Sequence, residues 1–182
     1  AVTLATQQTV VQDFALVPYA GVLDDDIESG NPGWTAQTPW AITTTQSHSP
    51  THSWTDSPGG SYGNNLSTSL TSAPLDLAAA VGVEFSFWHL YATESGYDFC
   101  HVEVSANNGT TWTEIATYDG TNTTWTRQTF SVPELVGAAQ ALHFLDAGLH
   151  QARRGDVARI AQFQRIGPLR LPASVRRPEA GL

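Results

Sequence analysis

The sequence predicts an all-β fold, an antiparallel jelly-roll or β-sandwich, on three observations. Turn formers interrupt the chain roughly every eight to twelve residues, a spacing typical of sandwiches. Charged residues make up only 14% of the 182 and apolar residues 41%, with Thr, Ser, Gly and Asn abundant. Such a composition suits strands and turns better than charge-laced helices. Two stretches also alternate with the period of two that marks a strand. The length suits one domain with tails.

Taken in order, residues 1–23 lack clean periodicity and read as a linker or an entering strand. The domain is expected over 24–146, opening on Asp24-Asp25-Asp26-Ile27-Glu28-Ser29-Gly30. From Asn31 to Asn65 turn formers are too frequent for a helix, so Trp34, Trp40 and Trp54 are placed on short strands or ordered loops. In Val83–Tyr91, Phe85, Phe87, His89 and Tyr91 share one face, with Glu84, Ser86, Trp88 and Leu90 on the other. Both faces are partly apolar, as in a central strand. In Phe99–Ser105, Cys100, Val102 and Val104 alternate with His101, Glu103 and Ser105, a strand with one wet face. Asn107-Asn108-Gly109 supplies the positive-φ residues of a hairpin whose return strand is Thr111–Tyr118. Asp119-Gly120 makes the next turn, and Trp125–Val132 is a strand closed by Pro133.

Residues 147–182 follow other rules. They are Ala-, Arg- and Gln-rich, with Val157, Ile160 and Ala161 at i, i+3, i+4 and Asp156 placed to cap a helix. The expectation is a basic tail, either a short helix or disordered, outside the sandwich. Charge divides the same way. Residues 1–150 carry 15 Asp and Glu against a single Arg, Arg127, for a charge of −14, whereas 151–182 carry +5. An acidic, lysine-free body has no cationic surface to release counterions from phosphates, which excludes nucleic acid and anionic membranes as partners. No apolar run of about 18 residues occurs, so no membrane insertion is expected. Cys100 is the only cysteine and cannot form an internal disulfide. Its alternation with Val102 and Val104 reads as a buried structural thiol.

No catalytic constellation emerges. His48 and His52 have the separation of a helical zinc pair, but Ser49-Pro50-Thr51 between them supplies no glutamate and forbids a helix interior. The chain has no Gly-x-Ser-x-Gly elbow, and Gly59-Gly60-Ser61-Tyr62-Gly63 lacks the lysine of a phosphate loop. Glu84, Glu94, Asp98, Glu103 and Glu114 are carboxylates, yet nothing in their spacing pairs two across a cleft. The chain therefore reads as no enzyme. Hard cations are better matched to it, since calcium takes six to eight oxygens. Asp26 and Glu28 flank the start of the domain, and Asp56 and Asn65 bracket a Gly-rich loop. These four are the candidate ligands of a structural Ca2+.

Several ordered motifs resemble one family. They are Asp25-Asp26-Ile27-Glu28-Ser29-Gly30 with Gly33-Trp34-Thr35, then Ser53-Trp54-Thr55-Asp56-Ser57-Pro58-Gly59-Gly60 with Tyr62 and Asn65. Further along come Ser69-Leu70-Thr71-Ser72, Phe85-Ser86-Phe87-Trp88-His89, Thr93-Glu94-Ser95-Gly96-Tyr97-Asp98, and Val102-Glu103-Val104-Ser105 with Gly109-Thr110-Thr111-Trp112. Over 25–136 the chain resembles the MAM-like jelly-roll domain that accompanies immune inhibitor A metalloproteases of secreted bacterial origin.

The resemblance implies a secreted or cell-surface accessory or adhesion module. Its partners would be other domains of the parent protein, or an extracellular protein or glycan. It also implies a structural cation near the first strand, and core roles for Trp34, Trp54, Trp88, Trp112 and Trp125. Trp40 and Tyr62 remain the aromatics free to stack on sugar, so a carbohydrate-binding module is the alternative function. The family's closing strand, an Asp-Gly-Trp segment ending in paired aspartates, is absent. A degenerate, truncated or frame-shifted C-terminus, one strand short, is therefore expected.

Overall fold

The computed structural model describes residues 23–63, 65–78, 80 and 82–137, together with the backbone of 139–148 and 157–167. The expected linker over 1–23 and the tail beyond 167 fall, but for Leu23, outside the described residues.

Short strands come first, as the density of turn formers requires: β1 (Leu23–Asp25), β2 (Thr35–Ala36), β3 (Ala41–Thr43) and β4 (Ser53–Thr55). Next are β5 (Ser67–Thr71) and β6 (Leu75–Asp76), followed by the longer β7 (Glu84–Ala92), β8 (Asp98–Ser105) and β9 (Thr113–Tyr118). After these come β10 (Thr121–Ser131), a 3-10 turn at Pro133–Leu135, β11 (Ala139–Gly148) and β12 (Val157–Gly167). The strands form two antiparallel sheets. One runs β10-β7-β12-β4-β3, with β1 also on β12; the other runs β2-β5-β11-β8-β9, with β6 also on β11.

β7 shows how the sequence makes the sandwich. It lies between β10 and β12, and its two apolar faces match that central place. Phe85 and Phe87 point inward and are fully buried, and both stack on Phe130 of β10, with ring centroids 6.5 and 6.0 Å away. Val102 and Val104 of β8 and Leu70 of β5 reach the same core from the opposite sheet. The hairpin between β8 and β9 turns where expected, with Asn108 at φ +54° and Gly109 at φ +80°. Ser105 Oγ accepts the Gly109 N–H at 2.8 Å and fixes that turn.

The C-terminal expectation is overturned. Residues 157–167, expected as a helix or disorder beyond a domain boundary at 146, are the strand β12. This strand pairs with β7 along one edge and with β4 and then β1 along the other. In the first sheet β12 thus occupies the place between β7 and β4. The i, i+3, i+4 apolar pattern was a real helical signal, but β7 would otherwise expose a full ladder of backbone groups, and tertiary pairing prevails over local propensity.

Two aromatic assignments also change. Trp40, expected to be free, is 6% exposed within the core, and its backbone N–H closes a turn on Gln37 O at 2.9 Å. Trp88, Trp112 and Trp125, expected in the core, are only half-buried, while Trp34 and Trp54 are core residues as expected.

Candidate functional site

Antiparallel topology gathers sequence-distant loops at one end of the sandwich. Ala92 of β7 pairs with both Thr121 and Val157, and Asp98 of β8 pairs with Gly148. The connections 56–66, 93–97 and 119–120 therefore meet at one pole; that at 149–156 lies outside the described residues. All four described tyrosines, Tyr62, Tyr91, Tyr97 and Tyr118, lie there.

Tyr97 is 48% exposed. Its turn is built to hold it. Tyr97 N and Asp98 N both donate to Glu94 O, at 3.0 and 2.9 Å, and Gly96 takes φ +78° to allow the bend. Asp119, from the β9–β10 connection, clasps the turn by accepting Ser95 Oγ–H at 3.0 Å and Gly96 N–H at 2.9 Å. A ring on a tied turn loses little freedom when a ligand stacks on it.

Beneath the turn lies an inter-sheet group of rings. His89 sits 4.4 Å from Tyr118 and 5.3 Å from Tyr91 by ring centroid, and the two tyrosines are 5.7 Å apart. Burial pushes the Tyr118 hydroxyl up to about 12, with Tyr91 adding to the effect. The Tyr91 hydroxyl is also raised, first by burial and then by Cys100 and Asp119. Both phenols therefore remain neutral hydrogen-bond donors. Tyr62, expected to be free, is only 4% exposed and donates to Asp98 Oδ2 at 2.7 Å. Asp98 is fully buried, and its Oδ1 has no hydrogen-bond partner among the described residues. Cys100, expected to be buried, is half-buried and lies opposite Tyr118.

Burial lowers the His89 pKa to about 4, since a desolvated imidazole resists charging. The unfolded chain binds that proton near the ordinary 6.5, so between pH 6.5 and 4 the folded state binds fewer protons. Stability from this group is whole above about pH 6.5 and declines as pH falls toward 4, by about 3 kcal/mol in all. Glu28 is held below the usual carboxylate range by Thr51 and His52, so its contribution is lost only at lower pH. Asp25 is raised by burial and acts in the opposite sense. Urea midpoints measured from pH 7 to 4.5 are therefore expected to fall more steeply for the wild type than for His89→Gln. Parallel curves would refute the assignment.

The four candidate calcium ligands are not gathered into one site. Glu28 Oε1 accepts Thr51 N and His52 N at 3.1 and 2.9 Å, and Oε2 faces Thr51 Oγ1 and, at 3.0 Å, His52 Nδ1. Asp26 Oδ1 accepts the Glu28 N–H of its own turn at 3.0 Å. Asp56 is buried beyond the other end of β4, bonded to Ser57 Oγ at 2.6 Å, and Asn65 is an exposed turn residue at φ +53°. Among the described residues no group of three or more His, Cys, Asp and Glu is arranged to hold a metal ion. Glu28 is used to tie a loop.

The remaining titratable candidates are dispersed. His48 stacks on Trp88 while His52 faces Glu28, so the two histidines serve different partners. Glu103 and Glu114 lie opposite each other on the second sheet, with Glu114 bonded to His101 Nδ1 at 2.6 Å. Glu84 begins β7, at the end remote from Glu94 and Asp98. Among the described residues, no helix is long and apolar enough to cross a membrane.

Neither a protein-family model nor a curated protein matches the chain. Solved structures do match its fold. The K3 cleaved adhesin domain of Lys-gingipain from Porphyromonas gingivalis is 17% identical at a TM-score of 0.61, covering 84% of this chain and all (100%) of that one. The CBM22-1 xylan-binding domain of Paenibacillus barcinonensis Xyn10C is 17% identical at a TM-score of 0.58, covering 86% and 100%. The module TmCBM61, solved with β-1,4-galactotriose, is 15% identical at a TM-score of 0.57, covering 80% and 97%. At such identities the likeness establishes the fold, and the chain is a β-sandwich of the architecture used by these carbohydrate-binding and adhesin domains.

Proposed function

We propose that this chain is a non-catalytic accessory module of a secreted or cell-surface bacterial protein, and that it binds a glycan at the tyrosine pole. The observation that carries this reading is Tyr97, an exposed ring on a turn clasped by Asp119, above the neutral phenols of Tyr91 and Tyr118. Tyrosine suits such a site because its face stacks on apolar sugar C–H surface while its hydroxyl meets sugar hydroxyls. The fold is shared with domains described as binding xylan and galactotriose, which supports the same ligand class here. Adhesion as the wider role draws support from the gingipain adhesin likeness.

The test is calorimetric titration with xylohexaose, β-1,4-galactotriose and a panel of other neutral oligosaccharides. Binding by the wild type and a loss of at least about tenfold in Tyr97→Ala are expected, the effect of removing a central aromatic contact. Binding that survives in Tyr97→Ala would move the site elsewhere, and no binding across the panel would refute the ligand class. The motif resemblance over 25–136 supports a parent of the immune inhibitor A metalloprotease type. A His-Glu-x-x-His motif in the flanking reading frame would bear that out.

A further inference from the structure

The outer face of the first sheet holds a second group of rings, remote in role from the tyrosine pole. Trp88 on β7 and Trp125 on β10 are both half-buried there. His48, exposed on the connection between β3 and β4, lies flat on Trp88, with centroids 3.8 Å apart and planes 15° apart. It meets Trp125 edge-on, at 6.2 Å and 72°. The two indoles thus form an L-shaped notch, and the imidazole fills it.

The loop carrying His48 is tied down on both sides of it. Ser53 Oγ donates to Gln46 O at 2.6 Å, and Ser49 Oγ donates to Asp26 O at 3.0 Å. Thr51 and His52 bond to Glu28. The fold therefore presents the ring at a set height above the sheet. Trp88 Nε1 is buried and has no hydrogen-bond partner among the described residues, a donor the imidazole covers without satisfying. Arg127, exposed and paired in register with Trp88, spends Nη2 on Ser86 Oγ at 3.1 Å and has further donors in its fork.

We propose that the notch between Trp88 and Trp125 is a second ring-binding site, that its ligand is one sugar ring of a glycan, and that His48 is the chain's own occupant. The choice of a sugar rests on the glycan reading above; the existence of a displaceable ring does not. A flat face against Trp88, an edge against Trp125 and a neighbouring fork of N–H donors is the set of contacts a pyranose ring needs, with an apolar face and hydroxyl rim. Stacking of this kind is weak enough for a ligand to displace, so the occupied notch lowers ligand affinity by a modest factor, about two- to tenfold.

The experiment has two arms. In the first, His48→Gly is titrated with imidazole, following tryptophan emission and Tm. A saturable response absent from the wild type is expected, since the ring returns to a vacated notch and stabilises the folded state by mass action. No response would overturn the notch as a ring site, whatever the fate of the glycan reading. In the second arm, xylohexaose and β-1,4-galactotriose are titrated into Tyr97→Ala with and without His48→Ala, so that the pole is silenced. Binding gained about two- to tenfold with His48→Ala, and lost again on adding Trp125→Ala, is expected. An imidazole response without any oligosaccharide gain would overturn the sugar as occupant.

Discussion

A chain ending at residue 156 is expected not to fold. Removing 157–182 deletes β12, which separates β7 from β4 and carries β1 on its other edge. The first sheet would divide into β10-β7 on one side and β3-β4 on the other, with β1 unattached. Along β7 the ladder from Glu84 to Ala92 would lose its partner over a buried strand, and each buried backbone group left unpaired costs about 1–3 kcal/mol. Several such losses exceed the roughly 5–15 kcal/mol that holds a domain together. Far-UV circular dichroism and limited proteolysis of the truncated chain read the result directly. Ile160→Pro makes the same point with one residue, because Ile160 pairs with His89 on one side and Trp54 on the other, and proline cannot donate to a central ladder. A truncated chain that melts cooperatively at the wild-type Tm would show that β12 is dispensable.

Phe87→Ala is expected to lower the unfolding free energy by about 3–5 kcal/mol. Phe87 is 1% exposed and lies within ring-contact range of Phe85 at 5.3 Å, His89 at 5.3 Å and Phe130 at 6.0 Å. Its removal leaves a cavity between two sheets whose backbones are held by their ladders and cannot collapse into it. The Tm should fall by about 10 °C, given the usual sensitivity of domains this size. Trp125→Ala, on a half-buried ring, provides the contrast and should cost clearly less. Equal losses in chemical denaturation would mean that the core is not centred on β7.

The strands that were legible in the sequence are those whose side chains carry their own signal. β7 alternates large rings, and the β8–β9 hairpin contains Asn108-Gly109, the residues its positive φ angles require. β12 was not legible because its place is set by what it lies between. Its apolar residues show no clean alternation of period two, and Val157, Ile160 and Ala161 suit a helix as well as a strand. The tyrosine pole was hidden for a different reason. Tyr62, Tyr91, Tyr97 and Tyr118 are distant in sequence, apart from the middle pair, and only antiparallel return brings them together. One signal was available, since each lies at or next to a turn: beside Gly63, around Gly96, and before Asp119-Gly120. Glu28 resembles a cation ligand in sequence, and in the fold it also ties residues 51 and 52 to the start of the domain, a role its spacing does not announce.

The pairing of Leu23 with Ile166 has a consequence for how a parent protein would use this module. The first described strand begins at Leu23 and the last ends at Gly167, side by side, at the pole opposite the tyrosines. A module tethered at that pole would present the tyrosine-pole loops, where we propose the glycan binds, at the end away from the tethers. The advantage given to a joined enzyme or adhesin is then one of effective concentration, set by the length and stiffness of the tethers rather than by contacts between domains. If the pole binds as proposed, lengthening a tether would lower the effective concentration of a joined partner roughly as the −3/2 power of its length and leave the intrinsic affinity unchanged.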